Sequence, residues 1–399
     1  MYESLYKIYR KYPENHDTIY RQRFNAPTTR HFTFLIKEHN RREAYPAFFC
    51  YTEELSLLLE EVYSKHERLL QIIGTVPPLV LEQFILSSVV DEVRATSDIE
   101  GIHSTRKEIK EVVDGSNQSA RFSSIVAKYK ELLNTGQINF NTCENIRCFY
   151  DEFAHKEIIA IEPNHKLDGK LFRKDSVAIT SSSGKVLHSG VYPEERIIEL
   201  LQIALDILNS SEVPLLVRVA VFHYFFEYIH PFYDGNGRTA RFIVSYFLAK
   251  RFHRLVGLRL SVIIKKRRKQ YYDLFKETDS QWNRGDLTPF VLGFTSIISE
   301  TFDDIAELLS KKVAMLEKYH AKLIDLFEEK DTLKKEIFWA MLQTSVFFGG
   351  GISIEDLMQL TGKSRNTIKS RINSIPSDYV IRVINKKVRY KFNVMLLKE

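Results

Sequence analysis

Cysteine is scarce in this 399-residue chain, with only Cys50, Cys143 and Cys148. An odd and sparse set excludes a disulfide framework and points to a reducing compartment. Cys143 and Cys148 have no nearby His and no second CxxC pair, so no zinc site is expected from them. Glycine (16) and proline (11) are few, which excludes collagen-like and low-complexity chains and leaves room for long helices. No run approaches the roughly 18 apolar residues of a membrane span. The N-terminal stretch MYESLYKIYRKYPENHD lacks an apolar run followed by a small-residue cleavage site, so no signal peptide is expected. A soluble, cytoplasmic protein with no membrane partner is the expectation. Neither sign of charge dominates: 57 Lys and Arg face 51 Asp and Glu, a net +6 that alone establishes no nucleic-acid partner. No repeat with a period of 20–50 residues is visible.

What the chain does have is apolar packing material, including 27 Phe and 20 Tyr. At roughly 100–200 residues per domain, two or three domains are expected. Apolar residues recur at helical spacing over 52–73, before Pro77-Pro78, and a second helix from about Leu81 to Arg94 runs into a polar stretch, Ala95 to Thr105. Residues 107–138 read as helix broken at Gly115 and Gly136, and helices are expected at 194–208, 215–229 and nearly continuously over 290–346. The β-prone runs 176–180 and 185–191, separated by Ser181-Ser-Ser-Gly184, read as a β-hairpin. At the C-terminal end Ser353 and Ser364 are cap residues for two short helices joined by Thr361-Gly-Lys363, and strands 380–384 and 388–392 follow. Three helices and a hairpin make a winged helix-turn-helix pattern. Its third helix presents Arg365, Asn366, Lys369 and Arg371, and its wing carries Lys386 and Lys387.

One stretch concentrates chemistry: His230-Pro-Phe-Tyr-Asp-Gly-Asn-Gly-Arg-Thr-Ala-Arg241. An apolar helix delivers His230, a loop follows, and a second apolar helix begins. Gly235 and Gly237 let backbone N–H groups converge on an anion, and the following helix adds the positive end of its dipole. Arg238 and Arg241, three apart, share one face of its first turn and can grip phosphate oxygens. Asp234 offers a hard carboxylate suited to Mg²⁺. His230 has the ordinary pKa that suits proton abstraction near neutrality. Nucleotide phosphate, metal and general base thus fit within one turn and helix.

Nine positions of this stretch fit HPFx(D/E)GNGRxxR, and it resembles the active-site loop of the Fic (Fido) family, whose members transfer AMP from ATP to a hydroxyl of a target protein. The resemblance implies a mainly α fold, a Fic-type helical core over 140–300 with a β-hairpin flap. It implies that His230 deprotonates the target Tyr, Ser or Thr hydroxyl and that Phe232 anchors the loop. Asp234 would bind Mg²⁺, Gly235, Asn236 and Gly237 would form the anion hole, and Arg238 and Arg241 would hold the phosphates. Val177 and Ile179 would lie in the flap that docks the target segment by strand addition. Tyr272 and Asn283 resemble the family's adenosine-side elements. Thr96-Ser-Asp-Ile-Glu100-Gly101 resembles the autoinhibitory motif whose Glu pairs with the second motif arginine, here Arg241. It would place an inhibitory helix at about 81–101 within an N-terminal helical region, 1–139.

A linking helix over 301–332 would then lead to a winged-helix domain over 333–399. Two alternatives stand beside the transferase: a de-AMPylase in which Glu100 positions a water, and a DNA-binding transcriptional regulator with a nucleotide-sensing core. Partners would be ATP, a target protein, double-stranded DNA through residues 333–399, and a second copy in a homodimer. Lys265 to Lys269 reads as a solvated face and His188 as incidental to the chemistry. The net charge has an address: residues 331–399 hold 12 Lys/Arg and 6 Asp/Glu, so the first 330 residues are neutral and the excess lies in the tail.

Overall fold

Residues 2–52 form two short helices, α1 (Leu5–Lys11) and α2 (His16–Phe24), and an antiparallel pair, β1 (Thr29–Lys37) and β2 (Ala44–Cys50), in this computed structural model. Residues 2–115, 117, 121–134, 137–180, 186–324, 331–347, 350–384 and 388–397 are described. The β1–β2 hairpin departs from the helical reading of the N-terminal region. Its signal is alternation: Phe32, Phe34 and Ile36 are buried between exposed neighbours. Phe34 stacks on Phe225 at 3.9 Å, and Lys37 N–H donates to Tyr228 Oη at 2.9 Å.

Helices α3 (Glu53–Gly74), α4 (Pro78–Ile99), α5 (Arg106–Val113) and α6 (Ser123–Leu133) follow. The expected stop of α4 near Arg94 is corrected, because the helix continues through the polar residues to Ile99. Tertiary partners explain this. Ser97 Oγ donates to Val93 O, Thr96 is buried against Arg241, and Asp98 pairs with Lys265. The helix ends in a Schellman arrangement: Ile102 N–H reaches Ser97 O, Gly101 N–H reaches Asp98 O, and Gly101 takes φ +76°. The glycine therefore leaves Glu100 at the helix terminus.

A capping box on Thr142 starts α7 (Cys143–Tyr150), which passes through a π-helical turn, Asp151–His155, into α8 (Lys156–Ile161). Strands β3 (Ala178–Thr180) and β4 (Val186–Ser189) form a two-stranded sheet between α8 and α9 (Glu194–Asn209). At the centre are α10 (Leu215–Ile229) and α11 (Asn236–Arg251). Every residue of α10 except Arg218 and Glu227 is buried, as expected for a helix apolar on all sides. After them come α12 (Arg254–Gly257), α13 (Leu260–Lys266), α14 (Arg268–Asp279) and α15 (Thr288–Ile324). Residues 265–269 are exposed, the solvated face expected of them.

The tail consists of α16 (Thr332–Phe347), β5 (Ile352–Ser353), α17 (Ile354–Thr361), α18 (Arg365–Asn373), β6 (Val380–Ile384) and β7 (Val388–Phe392), with sheet order β5-β7-β6. Ser353 and Asp356 form a capping box, Gly362 at φ +67° closes α17, and Ser364 caps α18. The chain divides into two compact units, residues 1–66 with 89–302 and residues 67–88 with 303–399. No helix among the described residues is long and apolar enough to cross a membrane.

Candidate active site

The turn between α10 and α11 is built by backbone exceptions. His230 closes α10 in the left-handed region, φ 54° and ψ 63°, and Gly235 opens α11 at φ +82°. Asn236 ties the turn shut: its Oδ1 accepts from Phe232 N–H at 2.9 Å and its Nδ2 donates to Phe232 O at 2.8 Å. Phe232 is wholly buried, stacked on Tyr150 at 3.7 Å, and Tyr150 Oη donates to Asp234 O. These contacts leave the first N–H groups of α11 without helical acceptors, the usual anion-binding arrangement.

Arg238 and Arg241, each 1% exposed, rise from the first turn of α11. They differ in partners. Arg241 donates from Nη2 to Glu100 Oε1 at 2.7 Å and to Thr96 O at 3.1 Å, and from Nε to Thr96 Oγ1 at 3.0 Å. Arg238 leaves Nε and Nη1 without hydrogen bonds; its nearest carboxylates are Glu157 at 3.7 Å and Asp234 at 3.9 Å. Such a group retains its capacity for a ligand. A Cβ on residue 237 would fall 2.2 Å from Glu100 Oε1 and 2.8 Å from Arg241 Nη1, so only glycine leaves space for this carboxylate. Burial works to raise the Glu100 pKa, but the charge and hydrogen bond of Arg241 hold it below the usual carboxylate value.

His230 Nδ1 lies 3.2 Å from Glu227 O. With Nδ1–H donating there, Nε2 keeps the lone pair. Burial is the main force that takes the His230 pKa down to about 4, so the ring is neutral at pH 7. The side chain of Glu227 is pushed up to about 8 by burial and by the neighbouring charge of Glu100.

The structure thus brings His230, Phe232, Asp234, Gly235, Asn236, Gly237, Arg238, Arg241, Thr96 and Glu100 together, with Gly101 closing the helix that carries Glu100. Tyr272 is half-exposed; burial and then the charge of Glu100 raise its phenol pKa, so it stands within electrostatic reach of the site. Asn283 is fully buried and donates from Nδ2 to Asp286 O at 2.7 Å, while its Oδ1 has no hydrogen-bond partner. Val177 O accepts from Gly190 N–H at the base of the hairpin, and Ile179 pairs with His188. His188 Nε2 lies 2.7 Å from Tyr228 O, tying β4 to α10.

In the tail Arg365, Asn366, Lys369 and Arg371 are exposed on α18, with Arg365 paired to Glu355 and Arg371 to Asp331. Lys386 and Lys387 lie outside the described residues. Sequence reasoning missed Tyr150, Glu227 and Arg173. The last is buried and donates to the carbonyl of His230. None of the three belongs to a local motif that would have marked it.

Residues 152–248, from the π-helical turn to α11, match a family model described as the Fic/DOC family. The chain also resembles proteins named "Protein adenylyltransferase Fic". The one from Drosophila grimshawi is 37% identical over 99 residues, covering 24% of this chain and 19% of that protein. The one from Drosophila erecta is 35% identical over 99 residues, covering 24% and 18%. The chain spans about a fifth of the length of these curated relatives. A Fic family protein from Desulfovibrio desulfuricans G20 shares the fold at a TM-score of 0.52 and 20% identity, over 86% of this chain and 97% of that one. The centre of the chain, residues 152–248, is therefore similar to the Fic/DOC family, within a mainly helical protein.

Proposed function

We propose that this protein transfers AMP from ATP to a hydroxyl side chain of a target protein, and that Glu100 restrains the transfer. One observation carries the reading: two buried arginines at the start of α11, one closed by Glu100 and the other with open N–H groups. A polyphosphate satisfies both arginines and the first N–H groups of α11. The names of the relatives support AMP as the transferred group.

His230 Nε2 takes the proton of the target hydroxyl, the hydroxyl oxygen attacks the α-phosphorus of ATP, and pyrophosphate leaves. The anion hole at Gly235, Asn236 and Gly237 and the arginines stabilise the charge on the phosphates. Asp234 fits Mg²⁺, since its side chain is 39% exposed beside Arg238, and this ion takes few protein ligands and shares phosphate oxygens. No group of three or more His, Cys, Asp or Glu among the described residues could hold a metal by itself. When bound, the ion would neutralise phosphate charge. Strand β3 pairs on one side only among the described residues, which leaves an edge for the target segment beside Val177 and Ile179.

With Glu100 on Arg241, the γ-phosphate loses its partner and ATP is held with its α-phosphate out of line for attack. Glu100→Gly is therefore expected to raise incorporation of label from α-labelled ATP by at least about tenfold, the effect of about 1.4 kcal/mol on the barrier. Adding His230→Ala should abolish it. Equal labelling by the two proteins would defeat the proposal.

A separate observation favours a second activity for residues 333–399. Helices α17 and α18 meet at a tight turn, α18 exposes Asn366 and Lys369, and strands β6 and β7 follow and complete a three-stranded sheet with β5. We read this as a winged helix-turn-helix that lays α18 in the major groove of duplex DNA. Binding of the full chain to a labelled duplex, falling steeply as salt rises, is the expected result. Binding that ignores salt would refute it.

A further inference from the structure

Arg173 is wholly buried, and its four acceptors are all backbone carbonyls. Nε donates to His230 O at 2.9 Å, Nη1 to Asp175 O at 2.6 Å, and Nη2 to Val191 O at 2.8 Å and Ile229 O at 3.2 Å. A buried charge without a carboxylate costs much desolvation and survives only when its donors are satisfied. Burial brings its pKa down to about 10, so the guanidinium stays charged at pH 7.

The four carbonyls belong to two structures. Ile229 and His230 end α10, where terminal carbonyls lack helical donors and a cation is favourable. Asp175 and Val191 flank the hairpin β3–β4 on its two sides. One planar fork therefore joins the base of the flap to the residue that carries the imidazole. The surrounding chain is shaped to hold it. The carboxylate of Glu194 accepts from the N–H groups of Lys170, Leu171 and Phe172, which fixes the approach to Arg173. Across the hairpin, a Cβ on residue 190 would lie 2.5 Å from Arg173 Nη2 and 3.1 Å from His230 Cβ. Gly190 is the one residue type that lets these groups converge.

We propose that Arg173 is a positioning residue, a clip that sets the distance between the target-docking edge of the flap and His230. The inference rests on the adenylyl-transfer reading. A target hydroxyl is placed by the flap, its proton is taken by His230, and an error of about 1 Å between the two costs on the order of 100-fold in rate. Arg173 is wholly buried on backbone carbonyls, so the role proposed for it is positioning and not binding of ATP or target. It acts by pinning the His230 carbonyl, which holds the left-handed backbone and the direction of the imidazole.

The test uses the full chain with Glu100→Gly as parent and adds R173M or R173K. For R173M, kcat for AMP transfer is expected to fall about 100-fold while ATP affinity, titrated with ATP on the His230→Ala form of each protein, changes less than about threefold. R173K keeps a cation but cannot fork to four carbonyls, and should recover part of the loss; it also serves if R173M does not fold. The imidazole resonances of His230 should move in both variants. Unchanged kcat and unchanged resonances would overturn the proposal. A parallel loss of ATP affinity would overturn it too, as collapse of the whole site. If the Glu100→Gly parent transfers no AMP, the functional reading fails, and the His230 resonances still decide the role of Arg173.

Discussion

Arg238 and Arg241 at the start of α11 and the cations of α18 carry the same charge in opposite surroundings. The first two are 1% exposed, and one keeps open N–H groups. Arg365 and Arg371 are 55% and 45% exposed and already share carboxylates. Burial changes what a cation can do. In a low-dielectric site a charge-assisted hydrogen bond to phosphate is strong and weakly screened. On the surface each contact adds about 0–1 kcal/mol and salt weakens it. A buried pair suits a compact polyphosphate held by geometry, whereas an exposed row suits a long polyanion held by number.

The comparison is broken most forcefully at Arg238. Arg238→Ala should weaken ATP binding by on the order of 100-fold, with the loss nearly the same in low and high salt, as isothermal titration would show. A loss that vanishes at high salt would place Arg238 with the surface cations. His230 sharpens the same contrast through pH. In the proposed transfer its neutral form is the base, and burial takes its pKa to about 4. The kcat/KM for transfer should therefore stay level from pH 8 to about 5 and fall about tenfold per unit below 4. A solvated imidazole would instead put that limb near 6.5. The smallest effect belongs to the tail. Lys369→Ala should weaken duplex binding a few-fold and lower the slope of log affinity against log salt by about one.

The parts that could be read in the sequence were those written in neighbouring residues. The His230–Arg241 loop is local, and so are the caps at Ser353 and Ser364 and the turn at Gly362 that delimit α17 and α18. The β1–β2 hairpin escaped the helical reading because Leu35 interrupts the polar face of β1 and Phe48-Phe49-Cys50 runs apolar without alternation. The end of α4 was misplaced because Thr96, Ser97 and Asp98 look like helix breakers until Arg241, Val93 and Lys265 receive them. Arg173 precedes the hairpin with no local motif to mark it.

By itself, the sequence determined the chemistry available in the loop, while the pairing of Glu100 with Arg241 was only what the resemblance implied. It also placed the whole net charge in the last 69 residues. Local spacing is enough for that, since it sets which side chains share a helix face. Tertiary structure alone decided which charges are open and which are spent. Glu100 reaches Arg241 across 141 residues and Arg173 reaches His230 across 57. Burial and hydrogen-bond satisfaction are properties of what packs around a group, so Arg238 kept open N–H groups and Arg173 gathered four carbonyls only when distant segments closed over them.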